Sequence, residues 1–232
     1  MRCIICDNTI TGIYKKDLWG NAICDRHNAP LCDACGRFTM PSDLSLSDGR
    51  HICSSCLSTT VCLPEHIRWV DKKTRAILAS NGFDSLPSNV PIKIVSPEEM
   101  SVLTGKSCVD LHNRGLNTIS TSGIYPFKKT TSSIYIFNML PKLQFAGVLA
   151  HELIHLWVDI KNLKLSLNLE EGLCNLGSWL VYTSANTPLS KILIQNLYDN
   201  PDPVYGDGFR SILSLYHKKK SIKDLAAFIN NK

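Results

Sequence analysis

The chain changes character near residue 60. Before it, the chain is Cys-rich and poor in long helical patterns. After it, periodic patterns take over. Residues 64–81 put Ile67, Val70, Thr74, Ile77 and Leu78 on one face, with Gly82 as the stop, which predicts an amphipathic helix linking two parts of the chain. Residues 91–95 predict a short strand, and Ser96 suits the N-cap of a helical turn opened by Pro97, Glu98, Glu99 and Met100. Segments 118–125 and 133–137 are rich in β-branched and aromatic residues. The polar run 128–131 between them predicts two paired strands joined by a loop. After Pro141 a deeply apolar helix runs to about Ile160, and a second runs from about Asn168 to Tyr182. Helices over 189–199, 207–217 and 221–230 complete the pattern, the last opened by Ser221 and Asp224. The expected fold class is α+β: a small module over residues 1–60, then a domain over 61–232 with a small sheet followed by helices.

Cysteine explains the first part. The chain has 10 Cys, and those before residue 57 fall in C-x-x-C or C-x-x-H units, which is metal-ligand rather than disulfide spacing. Cys3, Cys6, Cys24 and His27 form one set, and Cys32, Cys35, Cys53 and Cys56 repeat it. The repeat extends beyond the ligands, because Gly20-Asn21-Ala22-Ile23-Cys24 corresponds to Gly49-Arg50-His51-Ile52-Cys53. Each set offers Zn²⁺ a tetrahedron of soft or borderline donors, and a module this small needs metal to fold. Two structural zinc ions are therefore expected. His51 is a spare donor or an ordinary hairpin side chain. The spacing resembles a LIM domain, although Cys24 precedes His27 where LIM domains usually carry His before Cys. A RING-type cross-brace has a similar ligand order. The LIM reading is preferred because each half carries its own four ligands, which suits sequential sites.

His151-Glu152-Leu153-Ile154-His155 lies inside the helix after Pro141. Residues 151 and 155 are one turn apart and share a face, so their imidazoles can hold one zinc while Glu152 acts as base toward water. The alternative is two core histidines with ordinary hydrogen bonds, yet the flanking Leu149, Leu153, Ile154, Leu156 and Trp157 make polar residues here costly without a purpose. A catalytic zinc needs a third protein ligand. The metzincin positions are Val158 and Lys161, so that pattern fails. Glu170-Glu171-Gly172 resembles the second helix of gluzincin peptidases. That resemblance implies Glu171 as third ligand, with Glu170 as fallback. The competing reading makes Glu171 part of a capping box with Asn168. Asn175, one turn after Glu171, is placed to orient a ligand. Tyr205-Gly206-Asp207-Gly208 resembles the Y-x-x-G segment of gluzincin aminopeptidases, which implies Tyr205 as oxyanion stabiliser, with Tyr182 second.

Taken together, the double zinc module, residues 149–157, Glu170-Glu171-Gly172-Leu173-Cys174 and Gly206-Asp207-Gly208-Phe209-Arg210 resemble the LIM-containing zinc peptidases known from plants as organ-size regulators, and their shorter bacterial relatives. The resemblance covers most of the chain. It implies a LIM-like β-hairpin module followed by a gluzincin-like metallopeptidase domain, with one catalytic and two structural zinc ions. It also implies a protein or peptide substrate and a protein partner for the LIM-like module. The plant members carry ubiquitin-interacting helices upstream. Here Met1 and Arg2 alone precede the first ligand, so ubiquitin dependence is not carried over. Residues 134–137, just before the active helix, are expected to form a sheet edge that pairs with extended substrate.

Composition changes little in this picture. At 44% hydrophobic and 19% charged the chain is ordinary for a globular protein, and no apolar run approaches the ~18 residues that span a bilayer. The N-terminus lacks a signal-peptide apolar region. Free thiolates favour a reducing compartment, so cytoplasm is expected. The formal charge is +5, and Lys218-Lys219-Lys220 reads as a solvated helix end. No basic helix accompanies the zinc ligands, so neither nucleic acid nor membrane is an expected partner. The rival from another class is a LIM adaptor with a non-catalytic peptidase fold.

Overall fold

The computed structural model describes residues 1–108, 111, 114–122, 129–219 and 221–230, with the backbone alone for 119–122 and 129–131. Packing divides the chain into two compact units, Met1–Val61 with Met139–Pro141, and Cys62–Asn138 with Lys142–Lys232.

The first unit is two copies of one small motif. Strands β1 (Tyr14–Lys16) and β2 (Ala22–Cys24) form an antiparallel hairpin, as do β3 (Leu44–Ser45) and β4 (His51–Ile52), followed by the single turn α1 (Ser54–Leu57). The copies agree bond by bond. Cys3 N donates to Asn8 O as Cys32 N donates to Arg37 O, and Ile4 N donates to Ala22 O as Asp33 N donates to His51 O. The turn glycines also match, Gly20 at φ 86 and Gly49 at φ 87, a left-handed conformation that a side chain would strain. Asp17 joins the halves: its buried carboxylate accepts from Trp19 N, Asn21 N and, across the repeat, Phe38 N at 3.0 Å. Ile23 and Phe38 pack with Cys3 and Cys24 in the first half, and Ile52 is buried in the second.

The second unit is a three-stranded sheet and a set of helices. Helix α2 (Pro64–Ser80) buries Val70, Thr74 and Leu78, and it belongs to this unit, packing on later helices rather than acting as a free linker. Strand β5 (Ile92–Val95) leads into α3 (Pro97–Thr104). Ser96 caps α3 by accepting from Glu99 N at 3.2 Å, while Glu99 reaches back to Ser96 N at 2.7 Å. Strands β6 (Gly115–Ser122) and β7 (Lys129–Phe137) pair antiparallel, and β5 pairs with β7 in parallel.

Two expectations about the sheet are corrected. Lys129, Thr130 and Thr131 are strand, not loop, because threonine suits an extended backbone and residues 130 and 131 pair with Thr121 and Ser120. Residues 123–128, on which part of the expected strand and loop fall, lie outside the described residues. Residues 134–137 are not an edge either: β7 is the central strand, its bonding groups taken by β5 and β6. The edge on the β6 side is β6 itself.

Helix α4 (Lys142–Ile160) is apolar on most faces because β6, β7, α2 and α5 all pack on it. Helix α5 (Leu167–Ala185) lies against it, and α6 (Pro188–Asp199), α7 (Gly206–Lys219) and α8 (Ile222–Ile229) complete the unit. Ser221 caps α8 through Asp224 N at 3.0 Å. Lys218 and Lys219 end α7, where cations complement the helix dipole; Lys220 lies outside the described residues. Among the described residues no helix is long and apolar enough to cross a membrane.

Candidate metal centres and active site

All 10 cysteines are free thiols. In the first unit the ligand atoms of Cys3, Cys6, Cys24 and His27 gather within 4.8 Å of one another, and so do those of Cys32, Cys35, Cys53 and Cys56. The sets are sequential, one per half, rather than interleaved. His27 faces its sulfurs with Nδ1, 3.1 Å from Cys24 Sγ and 3.5 Å from Cys3 Sγ. His51 belongs to neither set, since its Nδ1 lies 3.0 Å from Ser45 Oγ across the hairpin. Hydrogen bonds from Cys35 and Cys56 hold the Cys32 thiol far below its usual range, and Cys32 in turn pushes Cys35 up to about 12. Four sulfurs so close cannot all ionise without a cation among them, and this donor set suits zinc.

The third cluster is built where α4, α5 and α7 approach closely. At Gly147 any Cβ would run into the Tyr182 ring, and Ser178 Oγ donates to Gly147 O at 2.8 Å, so α4 and α5 lie unusually near each other. Gly172 and Gly208 do the same for α5 and α7: a Cβ on Gly172 would meet the Gly208 carbonyl. The first contact sets Glu170, Glu171, Cys174 and Asn175 beside His151 and His155. The second holds Tyr205, which immediately precedes α7, at the same place.

Each histidine is oriented through Nδ1. His151 Nδ1 lies 3.1 Å from Asn175 Oδ1, an atom that only accepts, so the ring nitrogen donates. His155 Nδ1 donates to Glu170 Oε1 at 2.8 Å. With both Nδ1 atoms engaged, the two Nε2 atoms face each other at 3.2 Å. Glu171 Oε2 completes the triangle, 3.1 Å from His151 Nε2 and 3.7 Å from His155 Nε2. These separations are close to the ~3.3 Å edge of a tetrahedron with 2.0–2.1 Å zinc–nitrogen bonds. Glu171 Oε2 is buried and lies against these two ring nitrogens. The residues therefore fit a divalent cation.

The electrostatics agree with that fit. Burial disfavours the His155 cation, yet Cys174, Glu171 and Glu152 outweigh it and raise the pKa to about 12. Burial likewise opposes the Glu171 anion, and its hydrogen bonds to His151 and His155 overcome this to hold the carboxyl at about 2. Such a cage attracts positive charge.

Glu152 is 6% exposed and lies beneath the edge strand. Asn117 Nδ2 donates to Glu152 Oε2 at 3.2 Å, and a Cβ on Gly115 would strike Glu152 Oε1. Glu171 does not form the capping box with Asn168: the N-cap is Ser166, whose Oγ lies 2.7 Å from Asn168 Oδ1. Tyr205 is 44% exposed, and after burial the nearby Glu171 is the chief influence raising its pKa. Tyr182 is elsewhere, buried over Gly147, with its pKa pushed up to about 12 by burial. Asn175 serves twice, since its Nδ2 donates to Tyr205 O at 3.1 Å and so ties the tyrosine turn to His151.

Sequence reasoning missed three participants. Asn117 and Gly115 gave no signal, because their role depends on which strand crosses α4. Cys174 did give one: it follows Glu171 by three positions on the same helix, and its sulfur lies within 4.8 Å of the ring nitrogens of both histidines.

Comparison with known proteins finds relatives over this region. A family model described as DA1-like, Protein DA1, matches residues 96–185, which span Asn117 and every α4 and α5 residue named above. The chain is 24% identical to Protein DA1 of Arabidopsis thaliana, covering 94% of this chain and 53% of that protein. It is 27% identical to the LIM domain-containing protein HDR3 of Oryza sativa subsp. japonica, over 81% of this chain and 45% of that protein. It is 24% identical to Protein DA1-related 7 of Arabidopsis thaliana, over 90% and 49%. The chain thus spans about half the length of the curated relatives it matches, and its similarity to DA1-like proteins is at low identity. No solved structure matches it significantly.

Proposed function

We propose that the chain is a zinc-dependent peptidase of gluzincin type, with an N-terminal LIM-like module that holds two structural zinc ions. One observation carries the reading. Two imidazoles whose Nδ1 atoms are already committed turn their Nε2 atoms toward each other at 3.2 Å, beside a buried carboxylate oxygen 3.1 Å from one and 3.7 Å from the other. His151, His155 and Glu171 would hold the metal, and zinc when bound supplies Lewis acidity toward water and the scissile carbonyl. Glu152 takes a proton from the attacking water and delivers it to the leaving amine. Asn117 fixes the orientation of that carboxylate from the edge strand. The outer edge of β6 would offer bonding groups to an extended peptide, the role first expected of 134–137. Tyr205, half-exposed at the same place, is the oxyanion donor.

The LIM-like module is proposed to bind a protein partner. Ile13 is 82% exposed, Leu18 60% and Tyr14 47%, large apolar side chains left in solvent on this unit. The adaptor reading and the peptidase reading separate on one variant. Glu152→Gln should keep all three zinc ions and lower peptide cleavage by at least ~100-fold. Undiminished cleavage in that variant would remove Glu152 from the mechanism, and absence of cleavage in wild type across a diverse peptide library would favour the adaptor.

A further inference from the structure

One buried amide on α5 faces two different parts of the site. Asn175 is 8% exposed, and both ends of its side chain are engaged. Oδ1 accepts from His151 Nδ1 at 3.1 Å, and Nδ2 donates to the Tyr205 carbonyl, also at 3.1 Å. A flipped amide would set its NH2 against a ring N–H and its oxygen against a carbonyl, so both partners demand the same orientation. The Tyr205 turn is otherwise shaped by local bonds. Asp202 Oδ1 accepts from Val204 N at 2.8 Å and from Tyr205 N at 2.9 Å, and Gly206 N donates to Asp202 O at 2.7 Å. The turn is tight, since a Cβ on Gly206 would strike the Asn200 carbonyl. Gly172 and Gly208 bring α5 and α7 together, but the Asn175 bond reaches Tyr205 itself, from the helix that carries Glu171. The Tyr205 side chain is 44% exposed, so packing does not enclose it and its backbone anchor matters the more.

We propose, resting on the peptidase reading of this site, that Asn175 is a positioning residue for the oxyanion donor as well as for His151. By anchoring the Tyr205 carbonyl, it sets the phenol at the point where negative charge develops on the scissile carbonyl oxygen. Preorganised donors of this kind act on the transition state more than on the bound substrate, so the effect belongs in kcat rather than KM. Its two bonds do separable work: Oδ1 serves the histidine, and Nδ2 serves the tyrosine. A single side chain thereby couples the orientation of a metal ligand to the seat of the group that meets the substrate oxygen.

The test is a double-mutant cycle on the full chain at saturating zinc, with a fluorogenic peptide that wild type cleaves. Asn175→Asp keeps an oxygen facing His151 Nδ1 and replaces the donor facing the Tyr205 carbonyl with an acceptor, which repels it. This variant should lose kcat by ~10-fold or more and hold KM within ~2-fold. In a Tyr205→Phe background the same substitution should cost less than ~3-fold, because the donor it positions is already gone. Asn175→Ala is the second variant, should the aspartate fail to fold, and its loss of kcat should depend on background in the same way. An equal loss in both backgrounds would overturn the proposal, since Asn175 would then act through the metal or the fold alone. Unchanged kcat in Asn175→Asp would overturn it as well. Tyr205→Phe cleaving at the wild-type rate would remove Tyr205 as oxyanion donor and this inference with it. Absence of cleavage by wild type would instead remove the peptidase reading on which both rest.

Discussion

His151 and His155 are useful as donors because of what their far nitrogens do. Asn175 and Glu170 each accept a hydrogen bond from an Nδ1, which aims Nε2 inward. Asn175→Ala or Glu170→Gln should therefore weaken the third zinc by ~10–100-fold while leaving the two N-terminal ions untouched, as read by competition with a chromophoric chelator. The raised pKa of His155 gives a pH dependence. Without a cation, His155 keeps its proton up to about 12, so zinc must displace it at neutral pH. Apparent affinity should then rise with pH, about tenfold per unit between pH 6 and 8, with roughly one proton released per zinc in calorimetry across buffers. Affinity that falls or stays flat over that range would contradict the assignment. The spacing of His151, Glu152 and His155 was legible because the chemistry demands one helical turn. The choice between Glu170 and Glu171 was not, because neighbours on a helix point about 100° apart and only packing decides which meets Nε2. Asn117 was invisible for the same reason, since nothing local in β6 announces the helix beneath it.

Most of the helices were legible as elements, because their apolar spacing, caps and prolines agree. The α5 boundaries moved to Leu167 and Ala185, and β7 began at Lys129, where a polar run was strand and not turn. Strand order lay beyond the sequence. An apolar run such as Ile134-Tyr135-Ile136-Phe137 suits a central strand better than an edge, and the parallel partner β5 confirms its place. Helix contacts make a sharper prediction. Gly172 lets α5 meet the Gly208 carbonyl of α7, so Gly172→Ala should destabilise the protein by ~1–3 kcal/mol in denaturant titration, through overpacking. Because that contact also seats Tyr205, peptide cleavage should fall further than stability alone accounts for. In the zinc module, Arg50 and Asp48 form a pair at 2.7 Å with side chains only 4% and 8% exposed, and Arg50 holds the Asp48 carboxyl below its usual range. Asp48→Asn should cost ~3–5 kcal/mol by leaving Arg50 short of that partner.

The whole molecule joins two units that owe their stability to different causes. The first packs Ile23 and Phe38 with cysteine sulfurs, and the second buries large apolar side chains such as Leu78, Phe145, Leu153 and Phe209 completely. Strong chelation should therefore unfold the module while most of the far-ultraviolet helical signal persists, because α2 and α4–α8 all lie in the second unit. The division was visible in the cysteine distribution and the change of period near residue 60. The most direct test of the central claim is zinc content per chain, measured on wild type, His155→Ala and Glu171→Ala after dialysis against a weak chelator. The account gives three ions in wild type and two in each variant. Two ions in wild type, or three in both variants, would contradict it.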